Sequence, residues 1–232
     1  MTNAANPPVR EATPGLLRYL DATAESALYR NGKVLTRRDA DGSDAGSLGI
    51  NRQRVEMKVY DARLLTGTAR HTLARNGYEL LMQARAKDGI DFFNHPEVVT
   101  RHYPQCVEIV RSVTGGQVYA FDHNVRSATG KRSRTRIAGG QQVQGPAHMV
   151  HGDYTLTSAQ QRLRDLTQPP KRNDTLRAVV LQEGQSLIPP KEADRVLADG
   201  GRFEIINVWC NIANEPVATH RACLEFCVRG IT

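Results

Sequence analysis

The chain has 232 residues, of which 40% are hydrophobic and 24% charged, and these fractions are typical of soluble globular proteins. No apolar run approaches the roughly 18 residues that a membrane-spanning helix needs. The polar, proline-bearing first residues also lack the apolar stretch of a secretory signal. We therefore expect a cytoplasmic protein that does not bind membranes. The formal net charge of +7 keeps nucleic acid open as a partner.

The predicted elements begin after a tail, because residues 1–15 carry no hydrophobic periodicity and are expected to be disordered. Apolar residues at helical spacing predict a helix over residues 16–28. Asp, Gly and Ser throughout residues 39–51 predict a loop. Residues 54–62 alternate apolar and charged side chains, which is the pattern of a half-buried strand.

The middle of the chain is expected to be mainly helical. Residues 66–75 read as a helix that Asn76-Gly77 ends. A second helix is predicted to start at His95, with Asn94 as its N-cap, and to end at residues 114–116, where Thr-Gly-Gly follows the last apolar position.

The remaining predicted elements alternate between strand and helix. Residues 117–122 read as a buried strand, and residues 150–154 as a short extended segment. Helices are predicted over 158–166, opened by Thr157 or Ser158, and over 191–197. Residues 203–209 are rich in β-branched and aromatic side chains, which favours a strand.

The most compact cluster of positively charged residues begins at Arg126 and ends at Arg136. A solvated basic loop is the favoured interpretation, and anion binding is the alternative, because no aromatic side chain is interleaved as nucleic-acid modules usually require. The cluster consists of Arg126, Lys131, Arg132, Arg134 and Arg136.

The four cysteines form no paired CxxC motifs, and a zinc ribbon requires two of them. Neither a zinc ribbon nor a structural disulfide is therefore expected. Cys223 and Cys227 with His220 leave a three-donor metal corner open near the end of the sequence.

The densest group of chemically capable side chains surrounds His151, Gly152 and Asp153. In an extended segment residues two apart point to the same side, so His151 and Asp153 face one cavity. Imidazole and carboxylate together are two thirds of the 2-His-1-carboxylate triad that holds Fe(II) in oxygenases. A surface turn, or a simple His–Asp hydrogen bond, is the alternative.

A second group, the FDHNVR sequence at 121–126, directly follows a predicted strand. Polar residues at a strand end can serve a site, although a structural hydrogen-bond network is the commoner use. The chain has no P-loop, no GxGxxG after a strand and no GxSxG, so nucleotide-binding and serine-hydrolase readings have no motif support.

The two groups belong to a longer series of landmarks in which the sequence resembles a known family. The landmarks are YDAR at 60–63, NGYEL at 76–80, DF at 91–92, YP at 103–104, FDHNVR at 121–126, VHGDYT at 150–155, RLRDL at 162–166 and RFEIINVW at 202–209. In their order and spacing they are similar to the CmcJ/AsaB-type hydroxylase/desaturase family, which is related to non-haem iron, 2-oxoglutarate-dependent oxygenases. The resemblance spans residues 16–218.

The resemblance implies an α+β fold with a mainly β core, a double-stranded β-helix of the jelly-roll or cupin type with flanking helices. It places His151 and Asp153 as ligands of Fe(II), with 2-oxoglutarate as cosubstrate and with O₂ and a small molecule as partners. Arg126, Tyr154 and Asn207 are expected near the cavity. The domain organisation expected is a tail at 1–15, one oxygenase-like domain at 16–218 and a divergent C-terminal tail at 219–232.

The chain departs from the family after Trp209. Cys210 stands where family members usually have Arg, and residues 219–232 do not resemble the family's continuation, which carries the distal histidine and the arginine for 2-oxoglutarate. We therefore expect the last strands of the jelly roll to be missing. His220 is the candidate for the third metal ligand.

Three functional hypotheses remain. The first is an Fe(II)- and 2-oxoglutarate-dependent hydroxylase or desaturase of a small secondary metabolite. The second is an inactive cupin-like binding protein, favoured by the incomplete iron site. The third, a basic nucleic-acid-binding protein, depends on the net charge and on the cluster that begins at Arg126. The sequence does not distinguish hydroxylation from desaturation or identify the substrate.

Overall fold

The computed structural model describes a large part of the chain. The described residues are 12–21, 52–81, 89–132, 137, 143–147, 149–170, 184–198 and 200–212. The predictions for residues 1–11, for the loop at 39–51 and for the C-terminal tail with His220, Cys223 and Cys227 lie outside them. In this part of the chain no helix has both the length and the apolar character needed to cross a membrane.

Two strands and a series of short helices make up the described secondary structure. In chain order these are β1 (Ala12–Leu20), β2 (Arg52–Tyr60), 3-10 helices at Ala62–Leu64 and Gly67–Ala69, α1 (Leu73–Asn76), α2 (His95–Glu97), a π-helical turn (Val98–His102), α3 (Tyr103–Thr114), α4 (Ala128–Arg132), α5 (Leu156–Asp165) and α6 (Pro190–Leu197).

Strands β1 and β2 form an antiparallel sheet in which Leu17 faces Val55 and Gly15 faces Met57. The strand predicted at 54–62 is confirmed as β2. The helix predicted at 16–28 is wrong for its first residues, because Leu16 to Leu20 lie in β1. Their spacing fits a helix, but cross-strand pairing with β2 outweighs that local preference. Residues 12–15, placed in the expected tail, also belong to β1.

The helices end and begin largely where local signals predict. Asn94 is the extended N-cap of α2, and the helical segment runs through the π turn to Gly115, which adopts the left-handed conformation at φ 68°. The helix predicted at 66–75 is reduced to the 3-10 turn Gly67–Ala69 and to α1, which Gly77 ends.

Helices α5 and α6 are also close to their predicted positions. Thr155 is the N-cap of α5: it accepts a hydrogen bond from the Ser158 backbone, and Ser158 Oγ accepts one from the Thr155 backbone in return. This capping box starts the helix two residues earlier than the sequence analysis placed it. Helix α6 begins at Pro190, whose fixed φ suits a first helical position.

The segments predicted as strands at 117–122 and 203–209, and the segment predicted as extended at 150–154, contain no regular strand in the structure. In the described part, β1 and β2 form the regular sheet, and an isolated bridge joins Arg126 to Gln144. The double-stranded β-helix and the domain boundaries therefore stay predictions.

Among the described residues, the buried hydrophobic side chains form three clusters. Phe121 joins two of them, because it packs against Val98, Val99 and Tyr103 on one side and against the α5 and α6 cluster on the other. The α5 and α6 cluster comprises Leu163, Leu166, Ile188 and Ala193. The third comprises Val125, Ile137 and Val143. Residues 121–126 are thus fixed between buried surfaces.

Candidate functional site

The segment that carries His151 and Asp153 is anchored at both ends. Before it, the Val150 amide donates a hydrogen bond to the Arg18 carbonyl at 2.8 Å, which attaches it to the edge of β1. After it, the capping box at Thr155 starts α5. The two residues therefore lie on a short connection between a strand edge and a helix.

The backbone two residues earlier in the chain orients the His151 ring. Its Nδ1 lies 2.9 Å from the Met149 carbonyl oxygen, and an acceptor at that distance places the proton on Nδ1. In the neutral imidazole the lone pair is then on Nε2, which lies 3.6 Å from Asp153 Oδ1. That distance exceeds an ordinary hydrogen bond. The two side chains are 41% and 50% exposed, so this pair of donor atoms is accessible from solvent.

Asn207 holds the Asp153 carboxylate from the other side. Its Nδ2 donates to Asp153 Oδ2 at 2.7 Å, which leaves Oδ1 directed to His151. The structure thus brings together three of the residues singled out from the sequence, His151, Asp153 and Asn207. We call this set the HxD site.

Tyr154 connects the HxD site to residues 121–126. Burial raises the pKa of the Tyr154 phenol, and the carboxylates of Asp122 and Asp153 act in the same direction, whereas Arg162 opposes them. Arg162 hydrogen-bonds to the phenol, and its guanidinium lies 5.1 Å from the centre of the Phe121 ring. The Tyr154 hydroxyl therefore keeps its proton and lies against the Arg162 guanidinium.

Sequence reasoning gave no role to Arg162. The residue lies within the RLRDL landmark, so the signal was a basic residue at the half-buried position of an amphipathic helix. Its contact with Tyr154 depends on how α5 packs, which no local pattern encodes.

Residues 121–126 form the hydrogen-bond network that sequence analysis favoured. His123 Nδ1 lies 2.9 Å from the Tyr103 hydroxyl, and its ring stacks on the buried His95 with centroids 5.2 Å apart. Asp122 adopts a positive φ of 56° and accepts a hydrogen bond from the His123 amide. The network belongs to the core around Tyr103.

The basic cluster makes contacts within the chain where the structure describes it. Arg126 donates to the Gly145 carbonyl at 3.1 Å, and Arg132 donates to Thr129 Oγ1 at 3.4 Å. Arg134 and Arg136 lie outside the described residues. These contacts place the Arg126 guanidinium beside Gly145, whereas Asn207 hydrogen-bonds to Asp153 and Tyr154 is its neighbour in the chain.

Within the part of the chain that the structure describes, the HxD site offers a metal ion two donor atoms, His151 Nε2 and Asp153 Oδ1. Among the side chains of the described ranges, no group of three or more His, Cys, Asp or Glu is arranged to hold a metal ion. His151 and Asp153 supply one nitrogen and one oxygen. His220, the proposed third ligand, is not among the described residues.

Comparison with known proteins identifies the family. The family model described as an oxidoreductase/YMDC permease-like domain matches residues 17–182, well over half of the chain. The chain belongs to this oxidoreductase-like family. It is also 41% identical over 197 residues to the "uncharacterized protein in dcmA 3′ region" of Methylophilus leisingeri, an alignment that covers 84% of this chain and 89% of that protein. No solved structure matches the chain.

Proposed function

We propose that this oxidoreductase-like protein is an Fe(II)- and 2-oxoglutarate-dependent hydroxylase or desaturase of a small molecule, of the CmcJ/AsaB type, with a jelly-roll core. The observation that carries the proposal is the pair of His151 Nε2 and Asp153 Oδ1, 3.6 Å apart. The family description supports the redox class. The landmark sequences support the finer assignment.

The residues of the HxD site fit two positions of a 2-His-1-carboxylate centre. His151 Nε2 and Asp153 Oδ1 are 3.6 Å apart, close enough that both would hold one ion. The other polar atoms of the two side chains, His151 Nδ1 and Asp153 Oδ2, also make hydrogen bonds. Around metal ions in proteins, a ligating imidazole usually donates to a carbonyl and a ligating carboxylate accepts from a neighbouring residue. Here the Met149 carbonyl and Asn207 fill those two roles.

When bound, Fe(II) and 2-oxoglutarate supply the activation of O₂ for cleavage of a C–H bond. The chain's part is positioning and charge. The neutral imidazole of His151 keeps its proton on Nδ1 at the Met149 carbonyl and so presents the Nε2 lone pair. Asp153 brings a negative charge whose direction Asn207 fixes. Tyr154, held protonated, presents a hydrogen-bond donor beside them, and Arg162 brings a positive charge suited to a carboxylate.

Anaerobic Fe(II) titration tests the proposal. The wild type is compared with Asp153→Asn, which removes the charge at constant size, and with Asp165→Asn as the matched control, because Asp165 lies on α5 and accepts from Gln161. We expect Asp153→Asn to weaken Fe(II) binding at least about tenfold and Asp165→Asn to leave it unchanged. Adding 2-oxoglutarate to the wild-type complex is expected to produce a metal-to-ligand charge-transfer band.

Two results would contradict the proposal. Equal Fe(II) affinity in the wild type and in Asp153→Asn would remove the HxD site as the metal centre. Fe(II) binding without the charge-transfer band, and without consumption of 2-oxoglutarate in air, would favour the cupin-like binding protein.

A further inference from the structure

His102, Cys106 and Cys210 form a second cluster that the proposed function does not use. His102 is 9% exposed and ends the π-helical turn before α3. Its Nε2 lies 3.3 Å from Cys106 Sγ and 3.9 Å from Cys210 Sγ. Two thiols distant in the sequence therefore contact one nitrogen of one buried imidazole.

The surroundings of His102 favour Nε2 as the proton acceptor. Its Nδ1 lies 3.5 Å from the Gln105 amide oxygen, which can only accept, so the proton on this side belongs to Nδ1. The Phe92 and His102 rings pack in a T-shaped contact with centroids 5.2 Å apart. A thiol facing an acceptor imidazole is the arrangement that activates cysteine nucleophiles.

Both cysteines are partly accessible. Cys106 and Cys210 are neither disulfide-bonded nor fully buried. Their sulfur atoms both lie within 4 Å of His102 Nε2, so the separation of the two sulfurs cannot exceed the sum of these two distances. Cys106 lies on α3, whereas Cys210 lies three residues after Asn207 of the HxD site.

We propose that Cys106, His102 and Cys210 form a peroxide-reactive dithiol site. His102 takes the Cys106 proton, and the thiolate attacks a hydroperoxide: an S–O bond forms, the O–O bond breaks, and the leaving oxygen receives the proton from His102. The Cys210 thiol then attacks the resulting sulfenic acid. An S–S bond forms, the S–O bond breaks, and water leaves with the Cys210 proton. Two thiols are oxidised by two electrons and one peroxide is reduced.

The consequence of oxidation is a covalent link between α3 and the segment that carries Asn207. This inference does not depend on the proposed function, because thiol chemistry at this cluster is measured without iron or 2-oxoglutarate.

The experiment treats the full-length chain with hydrogen peroxide after reduction and removal of the reductant. Intact mass and non-reducing peptide mapping then locate the oxidised cysteines. We expect loss of two hydrogens and a linked peptide pair containing Cys106 and Cys210. In Cys210→Ser, Cys106 should instead accumulate as a sulfenic acid that dimedone traps. Cys223→Ser is the matched control and should form the same Cys106–Cys210 link.

A second measurement covers the case in which Cys210→Ser does not fold, and it tests His102. In the wild type His102 increases the thiolate fraction of Cys106, although each such thiolate is a weaker nucleophile. Iodoacetamide alkylation of Cys106 near neutral pH should therefore slow about threefold in His102→Gln. Linkage through Cys223 or Cys227, sulfenic acid at Cys106 without linkage in the wild type, or unchanged alkylation in His102→Gln would each overturn the proposal.

Discussion

Asn207 offers the sharpest test of how the HxD site is oriented. It donates to the Asp153 carboxylate at 2.7 Å, and Asn207→Ala removes that donor without touching either proposed ligand. Removing a residue that hydrogen-bonds a metal ligand typically weakens metal binding about 10–100-fold. Because Asp153 is 50% exposed, water replaces part of the lost interaction, and we take the lower end, a Kd for Fe(II) about tenfold weaker. That change corresponds to about 1.4 kcal/mol.

The assay is anaerobic titration calorimetry with Fe(II) on the wild type, on Asn207→Ala and on Asn124→Ala. Asn124 is the matched control because its Oδ1 accepts from the Gln144 side chain rather than donating to Asp153. Thermal melts verify that each variant is folded. A Kd for Asn207→Ala within twofold of the wild-type value, or an equal loss in Asn124→Ala, would refute the reasoning.

Three further predictions concern stability. Burial, together with the hydrogen bond to Glu192, raises the pKa of Tyr119 to about 12, so its contribution is complete below pH 10 and is lost as pH rises towards 12. Tyr119→Phe should abolish this loss of about 1–2 kcal/mol in urea unfolding; an identical pH dependence would argue against it. A Cβ on Gly15 would lie 2.6 Å from Val59 Cγ2, so Gly15→Ala should lower the free energy of unfolding by about 1–3 kcal/mol. Adding Val59→Ala to that variant should restore part of the lost stability. No recovery in thermal melts would exclude this clash. Leu163→Ala, at a site 7% exposed, should cost about 2–4 kcal/mol in denaturant unfolding, and a cost under about 0.5 kcal/mol would not fit that burial.

Local signals predicted those elements whose stability depends on nearby residues. The alternation at 54–62 predicted β2, and Asn94 with Gly115 bounded the helical segment, because strand periodicity and helix caps act within a few residues. Strand β1 was not predicted, because local patterns carry no information about its pairing with β2. Its leucine spacing is compatible with a helix, and only the distant β2 decides the outcome.

The candidate site was predictable in its residues but not in its contacts. The HxD tripeptide identified His151 and Asp153, and the family resemblance added Asn207 through the landmark at 202–209. The hydrogen bond from Asn207 to Asp153 joins two parts of the chain that no local pattern relates. His102 and Cys106 are four apart on one helical face and could have been noticed, whereas Cys210 joins them only through tertiary packing.

The hydrogen bond between the Val150 amide and the Arg18 carbonyl has a consequence for the order in which the chain folds. Its two residues are separated by more than half of the chain, and contacts between distant residues form slowly because closing a long loop costs entropy. Helices α3 and α5 depend on local contacts and are expected to form earlier. During refolding, helical circular dichroism should therefore recover before the Fe(II) binding that we propose for the HxD site, and this site should be among the last of the described parts to assemble.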